Sequence, residues 1–246
     1  LGPFGFLNAM ELLGMNPDPR IYPSLEALLR SPDPARRLAA TRFLKSIPAR
    51  DRAPLAAIAL DSPEALLRIE AAEALAEDAA ARPRLLGALA ELARDPDPQL
   101  RVRVAKILER WGREAGQEAR ALLETLVLDS EGCIEAIRVW ARTASPGEEP
   151  RALELLKQIP DRQIRSLLSR EVKNSESNRG LRWDAVAIAC IPDIIDNNSN
   201  SYVTSILDDL VQRKIPIPPD SLLEALRSTD VVIQTAALGA LSAQAK

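Results

Sequence analysis

One helical pattern is repeated three times in the first half of this chain. The stretches SPDPARRLAATRFL, DSPEALLRIEAAEAL and DPDPQLRVRVAKIL begin at residues 31, 61 and 95. When they are aligned, an arginine recurs after 31 and then 33 residues, and a leucine follows each arginine by seven residues. A fixed period of this length indicates a chain built from repeated structural units. The arginines are Arg37, Arg68 and Arg101, and the leucines are Leu44, Leu75 and Leu108.

Each repeated unit is predicted to be a pair of helices joined by a tight turn. Proline lies in the first turn of the second helix, where its missing N–H is not needed, and an adjacent Asp or Ser can cap the free amides. Residues 24–30, 54–60 and 83–94 precede these turns and carry apolar residues at three- and four-residue spacing, which is typical of a helix. Because a lone helical hairpin cannot bury its apolar face, neighbouring hairpins are expected to stack and share a core.

This hairpin resembles the HEAT repeat. Its second helix begins with Asp-Pro and an arginine shortly after, and it continues with Ala-Ala and Leu; the resemblance is clearest over residues 22–111. The short repeats of the bilin-lyase-like HEAT family are the most similar. The resemblance implies an all-α fold, a right-handed α-solenoid of about seven hairpins with a concave surface lined by second helices. It does not specify a function, since HEAT solenoids serve scaffolds, adaptors, lyase subunits and sensors.

Further hairpins are predicted after Gly112, with weaker similarity to the first three. Isoleucine and asparagine become more frequent in the second half, and the polar stretch KNSESNRG at residues 173–180 predicts a loop. We therefore divide the chain into regular HEAT-like repeats with an N-terminal helix over residues 1–172 and diverged repeats of the same solenoid over residues 173–246. The later hairpins pair residues 118–128 with 133–144, 150–159 with 162–172, 181–195 with 202–213, and 221–227 with 230–241.

The composition argues against catalysis. The chain has no histidine, which removes the commonest general base and most zinc sites. Phosphate-binding, dinucleotide-binding and metalloprotease motifs are absent from the sequence. The two cysteines, Cys133 and Cys190, lie in apolar helical patterns and are expected to be buried, reduced thiols of a cytoplasmic protein. We therefore predict no catalytic residue, no metal and no cofactor.

The charge balance bears on the class of partner. The chain has 32 basic and 35 acidic residues and a net charge of -3, so it lacks the basic excess of a nucleic-acid-binding protein. No apolar run approaches the roughly 20 residues that are needed to cross a bilayer. These features argue against nucleic acid as a partner and predict a protein partner instead.

The repeated arginines are the first candidate site. In HEAT-like repeats an arginine at this position pairs with an aspartate of its own turn or a neighbouring turn, and with turn carbonyls, as a structural latch. A role in binding an anionic ligand is the alternative. The predicted ladder consists of Arg37, Arg68 and Arg101 with Asp33, Asp61 and Asp97.

A basic stripe on the third second helix is the candidate partner-binding surface. Arg103, Lys106, Arg110 and Arg113 follow at helical spacing and share one side of that helix. The equivalent positions carry acidic residues in the second repeat and Arg42 in the first, so inter-repeat ion pairs that hold the register are the alternative. The acidic residues are Glu70, Glu73 and Glu77.

Two tryptophans complete the candidate partner-binding set, since tryptophan is enriched at interface hot spots. Trp140 lies on the buried face if the fourth repeat follows the third by 33 residues, but on the exposed face after a shift of one residue. Trp183 opens a helix that is apolar on all sides, and its indole is close enough to the helix start to reach a groove. Trp111 continues the apolar stripe of the third repeat and is assigned to the core.

The sequence favours a non-catalytic protein-binding scaffold or adaptor that uses the concave face. Three alternatives stay open: the sensor arm of a larger signalling protein, a bilin-lyase-like subunit, and a HEAT-like enzyme that binds DNA. Both ends of the chain, LGPFGFLNAMELLGM and VVIQTAALGALSA, are apolar. Because solenoids need polar caps, we expect at least one end to be covered by further repeats, another domain or a second subunit.

Overall fold

The fold is all-α, as predicted. The computed structural model describes residues 19–112, 116–129, 134–179, 183–196 and 200–245. These residues form fourteen α-helices that pack against each other, together with short 3₁₀ turns and no strand. The chain divides into two compact units, Leu1–Leu126 and Val127–Lys246. Within the described ranges, no helix has both the length and the apolar character that a bilayer crossing requires.

The first unit contains six complete helices and most of a seventh. The seventh helix, α7, holds the boundary between the units near its carboxyl end. In chain order the helices are α1 (Tyr22–Leu29), α2 (Pro34–Phe43), α3 (Ala49–Leu60), α4 (Ala65–Leu75), α5 (Arg82–Leu92), α6 (Pro98–Trp111) and α7 (Gly116–Leu128).

The second unit contains the remaining seven helices. They are α8 (Ile134–Thr143), α9 (Glu149–Gln158), α10 (Arg162–Arg179), α11 (Asp184–Asp196), α12 (Asn200–Gln212), α13 (Pro219–Arg227) and α14 (Val231–Gln244).

Each unit is assembled by the same packing rule. In the first unit, α1 packs on α2, α3 on α4 and α5 on α6, while the second helices form a row in which α4 contacts both α2 and α6. In the second unit, α11 packs on α12 and α13 on α14, and helices two apart in the chain also touch, as in α8 with α10 and α12 with α14. A helix therefore contacts its hairpin partner and the matching helix of a neighbouring hairpin, which is how stacked hairpins bury their apolar faces.

The second helices α2, α6 and α14 begin with a capping aspartate, as the sequence predicts, whereas α4 begins after Glu64 without a side-chain cap. The side chain of Asp33 accepts a hydrogen bond of 2.9 Å from the backbone N–H of Ala35 at the start of α2. Asp97 caps α6 with a bond of 2.8 Å from the N–H of Gln99. Asp230 caps α14 in the same way. Because the first-turn amides have no partner within the helix, these carboxylates satisfy groups that would otherwise rely on water.

Three details of the chain organisation differ from the sequence interpretation. The helix expected over residues 54–60 begins at Ala49, so Pro54 lies inside α3. The loop prediction for residues 173–180 is wrong, since α10 continues to Arg179; the stretch is polar but contains no Gly or Pro before Gly180, so nothing in it stops a helix. The sequence boundary at residue 173 therefore falls within a helix of the second unit, whereas the two compact units meet at Leu126.

Candidate functional site

Five charged side chains come together where α2, α4 and α6 lie side by side. Lys45 Nζ is 3.0 Å from Glu70 and 2.7 Å from Glu73. Arg103 reaches the same two carboxylates at 2.9 and 2.6 Å. Arg42 approaches Glu70 at 3.5 Å. We call Arg42, Lys45, Glu70, Glu73 and Arg103 the charge cluster; it joins three successive hairpins through two shared acids.

The electrostatics of the charge cluster keep both acids ionised. Burial raises the pKa of Glu73, but hydrogen bonds from Arg103 and Lys45 outweigh it and lower the pKa to about 2. Glu70 is only 5% exposed, and its pKa is lowered as well, because Lys45 and Arg103 outweigh the effect of burial. The hydrogen bond to Glu73 in turn raises the pKa of Arg103. The cluster therefore holds the three second helices in register over the whole physiological pH range.

The predicted basic stripe is divided by this cluster. Arg103 is committed to Glu70 and Glu73, and its side chain is 24% exposed. Lys106 and Arg110, one and two turns further along α6, are exposed and have no ion pair among the described residues. Arg113 lies outside the described residues. Within the described residues, the stripe thus consists of one structural cation followed by two cations without an ion pair.

The predicted arginine ladder is anchored to turn carbonyls. Arg37 donates to the carbonyl of Ser31 at 2.6 Å, and Arg68 donates to the carbonyl of Ser62 at 2.9 Å. Arg101 donates to the carbonyl of Asp95 at 2.9 Å. Each arginine therefore closes the turn that precedes its own helix, six residues upstream.

The aspartates predicted for the ladder cap helices or pair with a different arginine. Asp33 and Asp97 cap α2 and α6, and Asp61 pairs with Arg84 at 2.9 Å. The carboxylate that binds Arg37 belongs to Glu64, at the start of the next second helix. The carboxylate of Asp33 already accepts a hydrogen bond from a backbone N–H of α2. Glu64 of the neighbouring hairpin is therefore better placed to pair with the guanidinium of Arg37.

A fourth arginine of the same kind is present in the second unit. Arg165 donates to the carbonyls of Ile159 and Pro160 at 2.8 and 2.9 Å. It also forms a two-pronged pair with Asp193 on α11, at 2.7 and 2.6 Å. Arg165 was missed by the sequence analysis. It follows Asp161 by four residues, the spacing that separates Arg37 from Asp33.

Gln234 takes the arginine's position in α14. Its amide donates to the carbonyl of Ser228 at 2.8 Å, so the turn is closed without a charge. The position is therefore a turn latch in both units, whether or not its side chain carries a charge.

Both candidate tryptophans lie in the core of the second unit. Trp140 is 0% exposed and Trp183 is 1% exposed. Their ring centroids are 5.7 Å apart at an interplanar angle of 65°, which is a favourable edge-to-face arrangement. The partner-binding assignment needs these rings on the surface, and the structure places them inside. Trp111 is buried as expected, with its indole N–H donating to the carbonyl of Ala76 at 2.8 Å.

A shallow cleft of about 330 Å³ opens between α9, α10 and α11. It contains a thiol and an acid, and a bilin-lyase-like activity is expected to need acidic or thiol groups. Burial raises the pKa of the Cys190 thiol to about 12, and Arg165 neutralises Asp193. Neither group is therefore free to act as a nucleophile or a base. The lining residues are Leu153, Leu156, Lys157, Arg165, Ala189, Cys190 and Asp193.

The described residues contain no cluster of Cys, Asp and Glu side chains that is able to hold a metal ion. Cys190 is a free thiol, and Cys133 lies outside the described residues.

Comparison with known proteins adds little to this geometry. No family model matches the chain. No curated protein matches it either. Among solved structures, one described as an engineered protein is similar over 90% of this chain and 95% of its own, with 21% sequence identity and a TM-score of 0.39. A likeness of this degree carries no argument about fold family or function.

Proposed function

We propose that this protein is a non-catalytic scaffold or adaptor built from HEAT-like hairpins, and that it binds a protein partner on the face formed by its second helices. The observation that carries the proposal is the pair of exposed cations on α6. Lys106 and Arg110 have no ion pair among the described residues, whereas their neighbours in the charge cluster are all paired.

The charge cluster supports this proposal because it makes the binding face rigid. Glu70 and Glu73 hold α2, α4 and α6 in one register before any partner arrives. A surface that is already ordered loses little conformational entropy on binding. The free cations of α6 therefore lie on an ordered helix, beside a cluster in which the charges are paired.

The chemistry of the partner follows from the same cations. Two positive charges one turn apart complement acidic residues at helical spacing on a peptide or a helix. Exposed charges of this kind change the association rate and its salt dependence more than the final affinity. We therefore expect an acidic protein segment as the partner, with binding that weakens as salt is added.

Two finer expectations belong to the same proposal. The first is that the hairpins continue as one right-handed solenoid of about seven HEAT-like repeats, whose second helices line the concave side. The second is that the protein acts in the cytoplasm, where a free, buried thiol such as Cys190 stays reduced.

Charge reversal on α6 tests the proposed function. The whole chain is used as bait in an extract of its own cells, together with Lys106→Glu, Arg110→Glu and the control Arg94→Glu. Arg94 is an exposed arginine of the same unit that lies outside the stripe and has no ion pair among the described residues. We expect the two stripe variants to lose a protein partner that the natural chain and the control retain.

The bound partner is then titrated against the purified chain at several salt concentrations. Equal binding by the stripe variants and the natural chain contradicts the proposed face. Recovery of duplex DNA, with a salt dependence that Lys106→Glu reduces, favours the DNA-binding alternative instead.

A further inference from the structure

The segment that joins α12 to α13 contains three prolines within Ile215–Pro219. Proline fixes its own φ near that of a polyproline II helix, and it keeps the residue before it out of the α-helical region. Pro218 has φ -57° and ψ 140°, which are polyproline II values. We call Ile215–Pro219 the proline segment; its last residue is also the first residue of α13.

The burial of the proline segment follows the period of a polyproline II helix. Such a helix has about three residues per turn, so its side chains lie on three edges. Ile217 is on the inward edge and is only 2% exposed. Pro216 and Pro219 share a second edge and Pro218 lies on the third, and all three prolines are exposed. Two of the three edges therefore face solvent, and both carry proline rings.

The backbone of the proline segment has no spare hydrogen-bond donor. Ile215 donates its N–H to the carbonyl of Leu210 at 2.9 Å, at the end of α12. The N–H of Ile217 is 2.9 Å from the side-chain amide of Gln244, whose oxygen accepts from it. The other three residues are prolines and have no N–H. A partner that docks here therefore meets proline rings and carbonyl acceptors.

A matching linker in the first unit shows which parts of the segment the fold requires. Ile47 and Pro48 precede α3, and Ile47 is 1% exposed. Pro48 has φ -51° and ψ 139°, close to the values of Pro218. The neighbours of this pair are Ser46 and Ala49, so burying the isoleucine does not need a proline on each side. The two additional prolines of the second unit therefore suit a different purpose.

A lysine in an unfavourable backbone conformation lies beside the proline segment. Lys214 follows the end of α12 with a φ of 56°, a left-handed conformation that favours glycine. Its side chain is exposed and has no ion pair among the described residues, whereas Arg213 pairs with Asp184 and Asp209. A cation is thus retained at a position where glycine costs less, and such strain is typical of binding sites.

We infer that the proline segment is a docking site for a protein module whose groove is lined by aromatic side chains. Grooves of this kind bind preformed polyproline II segments through their proline rings. Pro216, Pro218 and Pro219 enter the groove, Ile217 stays in the core, and an acidic residue at the end of the groove pairs with Lys214.

The affinity of this contact benefits from order that exists before binding. Helices α12 and α13 hold the two ends of the proline segment, and Ile217 anchors its middle, so little conformational entropy is lost on docking. The segment belongs to the second unit and uses none of the cations of α6. This inference and the proposed partner face on α6 therefore stand or fall independently.

Pro216→Ser removes one ring of the docking edge and keeps a linker that already occurs in this chain. It changes Pro-Ile-Pro to Ser-Ile-Pro, which is the sequence of residues 46–48. Pro48→Ser is the matched control, because it removes an exposed proline ring from the equivalent linker of the first unit. Circular dichroism of both variants should match that of the natural chain.

Binding is measured by titrating isotopically labelled SH3 domains, which bind Pro-x-x-Pro segments in an aromatic groove, with the whole chain. We expect at least one domain of a purified set to bind, with nuclear magnetic resonance shifts at the indole N–H of its groove tryptophan. The natural chain and Pro48→Ser should bind alike. Pro216→Ser should bind at least about tenfold more weakly.

Lys214→Gly separates binding from stability. Glycine relieves the left-handed conformation, so the variant should unfold at a higher temperature than the natural chain. It also removes the cation, so it should bind the same domain more weakly and with less dependence on salt. A lysine without a role in docking would give the first change without the second.

The inference is overturned if no domain of the set binds the natural chain. It is equally overturned if Pro216→Ser or Lys214→Gly binds with the affinity of the natural chain, or if the shifted signals lie outside the aromatic groove.

Discussion

At the scale of single residues, two side chains show which side of α6 faces the core and which side carries the proposed binding surface. Leu108 is 3% exposed, and Lys106, two residues earlier, is exposed without an ion pair among the described residues. We expect Leu108→Ala to reduce the free energy of unfolding by about 2–5 kcal/mol, because it leaves a cavity in the core. Lys106→Ala should change it by less than about 1 kcal/mol. Urea denaturation of both variants measures the difference, and a reversal of the two values would contradict the orientation of α6.

The charge cluster makes stability depend on pH in the acid range. The folded-state pKa of Glu73 is about 2, below its ordinary value of 4.5, so the ionised carboxylate stabilises the fold above pH 4.5 and this contribution is lost as the pH falls towards 2. We expect Glu73→Gln to lower the free energy of unfolding at neutral pH by ~1–2 kcal/mol, after allowance for solvent screening. The variant should also lose less stability than the natural chain between pH 4.5 and 2.

Glu77→Gln is the matched control for this measurement. Glu77 is exposed just after α4 and has no ion pair among the described residues. Its replacement should leave the acid dependence of urea denaturation unchanged. If Glu73→Gln follows the same acid profile as the natural chain, Glu73 is not held by Lys45 and Arg103 in solution.

At the scale of helices, aspartate caps mark the starts of α2, α6 and α14. Asp97 caps α6 through the N–H of Gln99. We expect Asp97→Ala to destabilise the protein by about 0.5–2 kcal/mol. Asp97→Asn keeps the cap, so it should cost no more than about a few tenths of a kcal/mol. Thermal unfolding of the two variants checks this expectation. Equal losses in both would show that the charge of Asp97, and not its cap, is what matters.

The two ends of α10 show how far the local sequence determines where a helix begins and ends. The start of α10 follows from Asp161, whose side chain accepts a hydrogen bond of 2.7 Å from the N–H of Gln163. Its end could not be placed from the sequence, because polar residues such as those after Val172 occur both in loops and on solvated helix faces. Sequence therefore predicts helix starts with specific capping residues better than it predicts ends without a glycine or proline.

At the scale of the whole molecule, the all-α assignment has a direct spectroscopic consequence. Fourteen helices account for most of the described residues, and these residues include no strand. We expect the far-ultraviolet circular dichroism of the whole chain to be strongly helical. A strand content above roughly a tenth, well below the usual 20–25% of globular proteins, would contradict the repeat assignment.

The repeat period, the starts of α2 and α6 and the buried faces of the first three hairpins were determined by the sequence alone. These features depend on local chemistry: Asp33 and Asp97 cap helices through bonds to residues two positions away, and Leu44 and Leu108 lie on apolar stripes with a helical period. The turn-closing role of Arg37, Arg68 and Arg101 is equally local, since each binds a carbonyl six residues upstream.

The tertiary structure decided which groups from different hairpins meet. Sequence could not choose Glu64 over an aspartate as the partner of Arg37, or separate the paired Arg103 from the free Lys106, because both depend on the register between stacked helices. For the same reason, sequence could not decide whether Trp140 lies on the buried or the exposed face of its helix, since a shift of one residue turns a helical side chain by about 100°. Packing against Trp183 resolves that ambiguity, and only three-dimensional contact between distant segments carries this information.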